Sequence, residues 1–323
     1  MMNNSLYCKL SFLWLIFLLS SSCKSKNSEV DRSKVFIYNQ PANITSLDPA
    51  FAKSHNNMWV VNHVYNTLIR LDDDLKLTPS LAKSWEISND GLTYTFILRD
   101  DVYFHQNECF KGEGKTKKLT AIDVEYSLYR LIDTTLSSPG SWIFTDKVDR
   151  TNAFKAVNDT VFELTITKPF LPTLQLLTMQ YCSVVPREAV EYYGNEFRSL
   201  AVGTGPYKFK RWLDNQALFL TRNDQYFDTT YFSDNPPEYI KTTLIPDKQI
   251  ASLELLNGNI DLISGLESSY INEFLDREGR LKDNKKDQVQ YIRSPYLNTE
   301  YIGINQELAK DHPGLKNKYF RQA

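Results

Sequence analysis

The residue types that carry chemistry are sparse in this chain, and their spacing excludes most catalytic arrangements. The histidines are His55, His63, His105 and His312, and no H-E-x-x-H or comparable metal-ligand spacing joins any two of them. No metal site is therefore expected, and His55 reads first as a hydrogen-bonding group. Adjacent carboxylates occur at Asp72-Asp73-Asp74 and Asp100-Asp101. A general acid and base need opposed environments, which neighbours in a loop do not have, so these are read as solvated turns. The sequence has no G-x-S-x-G elbow and no cysteine in a recognisable catalytic context, and no enzymatic activity is expected. Gly203-Thr204-Gly205-Pro206 matches neither a P-loop nor a dinucleotide fingerprint, so no nucleotide cofactor is expected. Its glycines instead allow close backbone approach, to a ligand or to an opposing part of the fold.

The formal net charge of −2 and the lack of a basic block with interleaved aromatics argue against a nucleic-acid partner. Residues 1–22 read as an export signal: Lys9 precedes an apolar run from Leu10 to Leu19, followed by Ser20, Ser21 and Ser22. The run is shorter than the ~20 residues that span a bilayer. Leu19-Ser20-Ser21-Ser22-Cys23 resembles a bacterial lipobox, which makes Cys23 the expected lipidation site, with residues 23–34 as its tether. The alternative is a buried thiol that follows a signal peptide by chance. Beyond the leader only Cys109 and Cys182 remain, which is no disulfide framework; one bridge or two free buried thiols both fit.

Elements able to position these residues are legible from periodicity. Val35 to Asn39 reads as a first strand, and Ser46-Leu47-Asp48-Pro49 as a turn whose proline fixes its exit. Met58 to Ile69 carries Trp59, Val60, Val64 and Leu68 near helical spacing. Pro79 is expected to open a short helix through Ser80, Leu81 and Ala82, closed by Trp85. Asn89-Asp90-Gly91 then turns the chain into a strand in which Leu92, Tyr94, Phe96 and Leu98 share one buried face. Lys111 to Lys118 reads as a solvated hairpin tip. Thr120-Ala121-Ile122-Asp123 fits a capping box, starting a helix to about Ile132. Val161 to Ile166 alternates as a strand. Asp247 begins a helix through Leu256, Gly258 takes a left-handed conformation after it, and Ile260 to Ile263 resumes as a strand. Strands and helices mix without a repeat, which gives an α/β (mixed α+β) class with a mixed sheet.

Several strings carry a resemblance to solute-binding protein family 5, the extracytoplasmic receptors of peptide and nickel ABC importers. Leu77 to Phe104, LTPSLAKSWEISNDGLTYTFILRDDVYF, resembles the family's N-terminal signature. Thr120 to Val124 with Ser127 resembles "TAEDVVFS", Gly203 to Tyr207 resembles "GTGPY", and Leu256 to Asp261 resembles "LxxGEID". Arg222-Asn223 with Tyr226-Phe227 resembles "RNPxYW", with Asp224 in place of the proline and hence a looser turn. Tyr319 to Ala323 resembles the family's "(V/F)RQAL" helix, which in relatives opens a second lobe.

The resemblance implies a type II periplasmic-binding-protein-like bilobal fold, with residues 35–300 as lobe I and 301–323 as the crossover into a lobe II largely missing from this sequence. It further implies a monomer that binds a peptide or another small solute, delivers it to an ABC permease complex, and is held at a bacterial membrane by its N-terminal lipid. The same fold would also serve a surface receptor, and a secreted hydrolase would need catalytic residues beyond Ala323. In peptide-binding relatives the stretch after "LDP" runs along the ligand, which carries over to Phe51, Ala52, Lys53, Ser54 and His55. Extended backbone there would pair with an extended peptide. Lys53 stands where several relatives carry an acidic residue, a change that favours a ligand carboxylate; the alternative is a lysine that points to solvent, as most do. Trp142 falls in a loop that approaches the cleft in relatives, either to stack on ligand or to anchor the loop. Gly203, Thr204 and Gly205 complete the expected contacts.

Overall fold

The computed structural model describes residues 31–232 and 236–293, with isolated positions 303, 305, 307, 312, 314 and 317–319. The leader, the lipid position Cys23, most of the tether, and most of the crossover expected at 301–323 lie outside the described residues. Two compact units are present, Met1–Tyr270 and Ile271–Ala323.

In the first unit, strand β1 (Val35–Asn39) leads through a 3-10 turn (Pro49–Phe51) into helix α1 (His55–Val64). Strands β2 (Ile69–Leu71) and β3 (Leu77–Pro79) form a hairpin; β4 (Ala82–Ile87) and β5 (Thr93–Leu98) follow. Helix α2 (Ala121–Ile132) precedes β6 (Phe154–Asn158) and β7 (Val161–Thr165). Short helices α3 (Thr173–Leu176) and α4 (Arg187–Tyr193) lead to β8 (Tyr207–Leu213), β9 (Ala217–Arg222) and β10 (Tyr239–Thr243). Helix α5 (Lys248–Leu256) and the short strand β11 (Leu262–Ile263) close the unit. One sheet has the order β11-β1-β10-β9-β8, with β1 parallel to both neighbours; the other has the order β4-β5-β7-β6 and is antiparallel. The α/β mixture expected from the sequence is thus built on these two sheets and the two-stranded β2-β3 ribbon. Among the described residues the second unit contains the one-turn helix α6 (Ile271–Phe274), a 3-10 turn (Asp283–Lys285) and an isolated bridge between Leu275 and Leu281.

Local chemistry explains most boundaries. In β5 the side chains of Tyr94, Phe96 and Leu98 are buried while Thr93, Thr95 and Ile97 are half-buried, the two-residue period expected of a strand on a core. α2 starts at a reciprocal capping box: the Asp123 carboxylate accepts from the Thr120 amide at 2.9 Å, and the Thr120 side chain serves the Asp123 amide. Its buried face, Val124, Leu128 and Leu131, packs with Phe154 and Phe162 in one continuous core. Asp247 caps α5 by accepting from the amides of Gln249 and Ile250, and Gly258 after its end has φ +74°.

Two expectations fail for identifiable reasons. Pro79 to Trp85 is not a helix: Pro79 ends β3, and Ala82–Ile87 pairs with β5, Trp85 lying opposite Phe96. A helix that short gains too few internal bonds to offset its nucleation, whereas strand pairing extends an existing sheet. The amides of Leu81 and Ala82 are taken by the Thr67 and Leu68 carbonyls at 3.2 and 2.9 Å, which holds the segment extended. The helix expected over Met58–Ile69 instead covers His55–Val64, because Ser54 caps it earlier and Ile69 is already in β2. Cys109 and Cys182 are both buried and both free. Lys111–Lys115 is exposed, with φ +99° at Gly112 and +80° at Gly114.

Candidate ligand-binding segment

The stretch from Phe51 to His55 is the connection between the turn after Asp48 and α1, and buried polar groups brace it. Asp48 caps the turn, its Oδ1 accepting from the Ala50 amide at 3.0 Å. Both carboxylate oxygens are also held by Arg130 of α2, at 2.9 and 2.7 Å. Ser138 donates its hydroxyl to the Ala50 carbonyl at 2.6 Å and accepts from the Gly140 amide at 3.0 Å. Asn57, fully buried in the first turn of α1, accepts from the Thr45 amide at 2.9 Å and donates to Thr45 Oγ1 at 3.0 Å and the Phe51 carbonyl at 3.4 Å. Ser54 closes the brace by capping the Asn57 amide at 3.2 Å.

This bracing gives the segment a shape different from the extended strand expected. The Lys53 amide donates to the Phe51 carbonyl at 2.8 Å around Ala52, whose φ of −74° and ψ of 50° form an inverse γ-turn. Phe51 ends the 3-10 turn and His55 opens α1, and between them Ser54, at φ −100° and ψ 150°, is extended. The amides of Ser54 and His55 and the carbonyl of Lys53 have no partner among the described residues. Ala52 is buried, Phe51 and Ser54 are half-buried, and Lys53 and His55 are exposed. His55 is bonded within α1: Trp59 Nε1 donates to His55 Nε2 at 2.8 Å, and the Trp59 ring packs on Tyr38 with centroids 5.8 Å apart.

The Gly203-Thr204-Gly205 turn lies at the other end of α1 and is buried. A Cβ at Gly205 would stand 2.5 Å from the Val64 carbonyl carbon and 2.6 Å from the His63 oxygen; one at Gly203 would meet Tyr65 Cδ1 at 2.7 Å and the Val64 oxygen closer still. Glycine is required because backbone meets backbone here. The Gly205 amide donates to the Val64 carbonyl at 2.8 Å, and Thr204 Oγ1 donates to Asn66 Oδ1 at 3.0 Å. His105 pins the turn from the other side. Its amide donates to the Gly203 carbonyl at 2.7 Å, its Nδ1 accepts from the Gly203 amide at 3.4 Å, and its Nε2 donates to the Gly205 carbonyl at 2.9 Å. That pattern requires a neutral ring, and burial lowers the His105 pKa to about 4. The amides and carbonyls of Gly203 and Gly205 and the Thr204 hydroxyl are thus engaged internally, and the turn fixes the end of α1.

Trp142 is 47% exposed in the 3-10 turn Ser141–Ile143, which Ser138 and Gly140 tie back to Ala50. Among the described residues no group of three or more His, Cys, Asp or Glu side chains could hold a metal ion, and no helix is long and apolar enough to cross a membrane. Arg130, Asn57, Trp59, Ser138 and His105 were not legible as parts of this region. Their partners are remote in sequence or depend on a turn that periodicity does not reveal.

A family model, Bacterial extracellular solute-binding proteins, family 5 Middle, matches residues 76–323. The periplasmic oligopeptide-binding protein OppA of Salmonella typhimurium is 28% identical over 291 residues, covering 85% of this chain and 50% of that protein. The glutathione-binding protein GsiB of Pectobacterium atrosepticum is 31% identical over 269 residues, 81% of this chain and 46% of its own. The nickel-binding periplasmic protein of Escherichia coli is 27% identical over 231 residues, 70% and 40% of the two chains. Among solved structures, the periplasmic binding protein DppA from Helicobacter pylori in complex with the peptide STSA superposes with a TM-score of 0.64 at 27% identity, over 74% of this chain and 48% of that one. The chain thus spans about half the length of the curated relatives it matches. With the family model covering most of its length and a periplasmic-binding-protein structure superposing over 74% of it, the chain belongs to the bacterial extracellular solute-binding proteins, family 5.

Proposed function

We propose that this chain is the lobe I part of the substrate-binding component of an ABC importer, which captures an oligopeptide or a related small solute outside the cytoplasmic membrane and passes it to the permease. The observation that carries the reading is the braced Phe51–His55 segment: buried Asp48, Arg130, Asn57 and Ser138 hold it rigid, while Lys53 and His55 stay exposed and the Ser54 and His55 amides stay open. Preorganised main-chain groups of this kind bind a ligand backbone without ordering costs, and side chains on either side set selectivity. Support comes from the relatives, among them oligopeptide- and glutathione-binding proteins and a peptide complex. In this reading residues 35–300 form the lobe that scaffolds a cleft, 301–323 begin the crossover, and closure of two lobes about a hinge traps the solute. Trp142 offers an aromatic face beside the segment, and Gly203, Thr204 and Gly205 hold the far end of α1. Acylation of Cys23 would keep the monomer at the membrane surface. No catalytic step belongs to this function.

Isothermal calorimetry on the complete protein with di- to hexapeptides, metal chelates and oligosaccharides tests the proposal. Saturable binding of the peptides is the expected result, and heat with none of the three classes would defeat it.

A further inference from the structure

Resting on the solute-binding reading above, we infer that Trp59 fixes the tautomer of His55 and thereby makes the exposed side chains of the Phe51–His55 segment donors only, selecting ligands that present a free carboxylate. The indole N–H of tryptophan can only donate. Because Trp59 Nε1 lies 2.8 Å from His55 Nε2, that ring nitrogen is the acceptor and carries no proton. In a neutral imidazole the proton then sits on Nδ1, the reverse of the tautomer usually favoured in water. Trp59 is itself held in place, one helical turn on from His55 and packed against Tyr38 of the sheet, which keeps the indole N–H in reach of the exposed ring.

Nδ1 of His55 has no partner among the described residues and belongs to an exposed side chain, so its N–H is available to a ligand. Lys53, two positions earlier, is exposed, forms no ion pair among the described residues, and is a donor with no acceptor capacity. The open Ser54 and His55 amides add two further donors. A carboxylate, an acceptor at both oxygens, is the group that satisfies such a face, and charge-assisted bonds are the stronger kind. A ligand amine is disfavoured there. So is a metal ion on His55, since Nε2 is engaged and Nδ1 is protonated; this separates the segment from nickel coordination of the kind a relative's name indicates.

Two measurements on the complete protein test this. Long-range proton–nitrogen NMR of the imidazoles, with His55 assigned by its loss in His55→Gln, should show a protonated Nδ1 and an unprotonated Nε2, and Trp59→Phe should return the ring to the Nε2–H form. An Nε2–H ring in the wild type, or no change in Trp59→Phe, overturns the tautomer assignment. Calorimetry with a pool of tri- to pentapeptides, as free acids and as C-terminal amides, should show about tenfold tighter binding of the acids, a preference lost in Lys53→Met. Equal affinity for the two pools defeats the donor face alone; binding of neither pool defeats the donor face together with the peptide form of the reading, and failure of the chelates and oligosaccharides as well defeats the solute-binding reading on which it rests.

Discussion

Arg130 and Asp48, 82 positions apart in the chain, meet as a buried two-point ion pair, with Nη1 2.9 Å from Oδ1 and Nη2 2.7 Å from Oδ2. The side chains are 10% and 7% exposed, and the guanidinium also lies 5.7 Å from the Phe197 ring centroid. The pair links α2 to the turn that feeds the Phe51–His55 segment, so the geometry of the segment depends on a contact made from the neighbouring layer.

Arg130→Met should destabilise the protein by about 3–5 kcal/mol, because it leaves the Asp48 charge buried without its counter-ion. The double variant Asp48→Asn with Arg130→Met should recover much of that loss, since no uncompensated charge remains. Urea unfolding of the three proteins checks this, and a loss under ~1 kcal/mol in the single variant would mean that water reaches Asp48.

Stability should fall with acid before the carboxylates titrate. His63 and His105 have ordinary values of 6.5 lowered to about 4, in both cases by burial. The unfolded chain therefore binds more protons than the native one between these limits. Their contribution is complete above pH 6.5 and is lost as the pH falls toward 4, each ring giving up roughly 1.4 kcal/mol for every pH unit crossed. Melting temperatures from about pH 7.5 to 4.5 should show this decline, and His105→Gln should flatten it while lowering stability at the neutral end. An unchanged slope in that variant would assign the acid loss elsewhere.

What the sequence revealed and what it hid divide along the distance of the contacts involved. The capping box of Thr120 and Asp123, the alternation of Tyr94, Phe96 and Leu98, and the Asp247 and Gly258 ends of α5 are written in neighbouring residues, and all three are found. The segment from Pro79 to Trp85 carries good helix formers, but partners in β2 and β5 decide its state, and tertiary pairing overrides propensity. For the candidate segment the resemblance supplied an expectation, whereas its γ-turn and its brace were not legible. Arg130 and His105 reach partners 82 and 100 positions away, and nothing in local spacing encodes such a pair.

Alanine at Gly205 should cost about 1–3 kcal/mol, since the added Cβ meets main-chain atoms of His63 and Val64 at 2.6 and 2.5 Å and one backbone must move. With an unfolding entropy of roughly 2.1 cal/mol/K per residue, that corresponds in a chain of 323 residues to a melting-temperature drop of about 1–2 °C per kcal/mol. A variant with unchanged melting would show that the turn does not press on α1 in solution.

Cys109 and Cys182 should resist alkylation in the folded protein. Burial, with Glu188 nearby, raises the Cys109 pKa to about 11, and burial raises that of Cys182 further. At about pH 8 only about one Cys109 in a thousand would be thiolate. Iodoacetamide labelling followed by mass spectrometry should leave both residues unmodified until urea is added, and neither should appear in a disulfide-linked peptide.

That the Phe51–His55 segment is the ligand-facing strip of lobe I is tested most directly by a crystal structure of the complete protein with a bound free-acid peptide. Ligand acceptor atoms should then lie within hydrogen-bond distance of the Ser54 or His55 amide and of Lys53 Nζ or His55 Nδ1. A peptide seated away from these groups, with the segment facing bulk water, would contradict it.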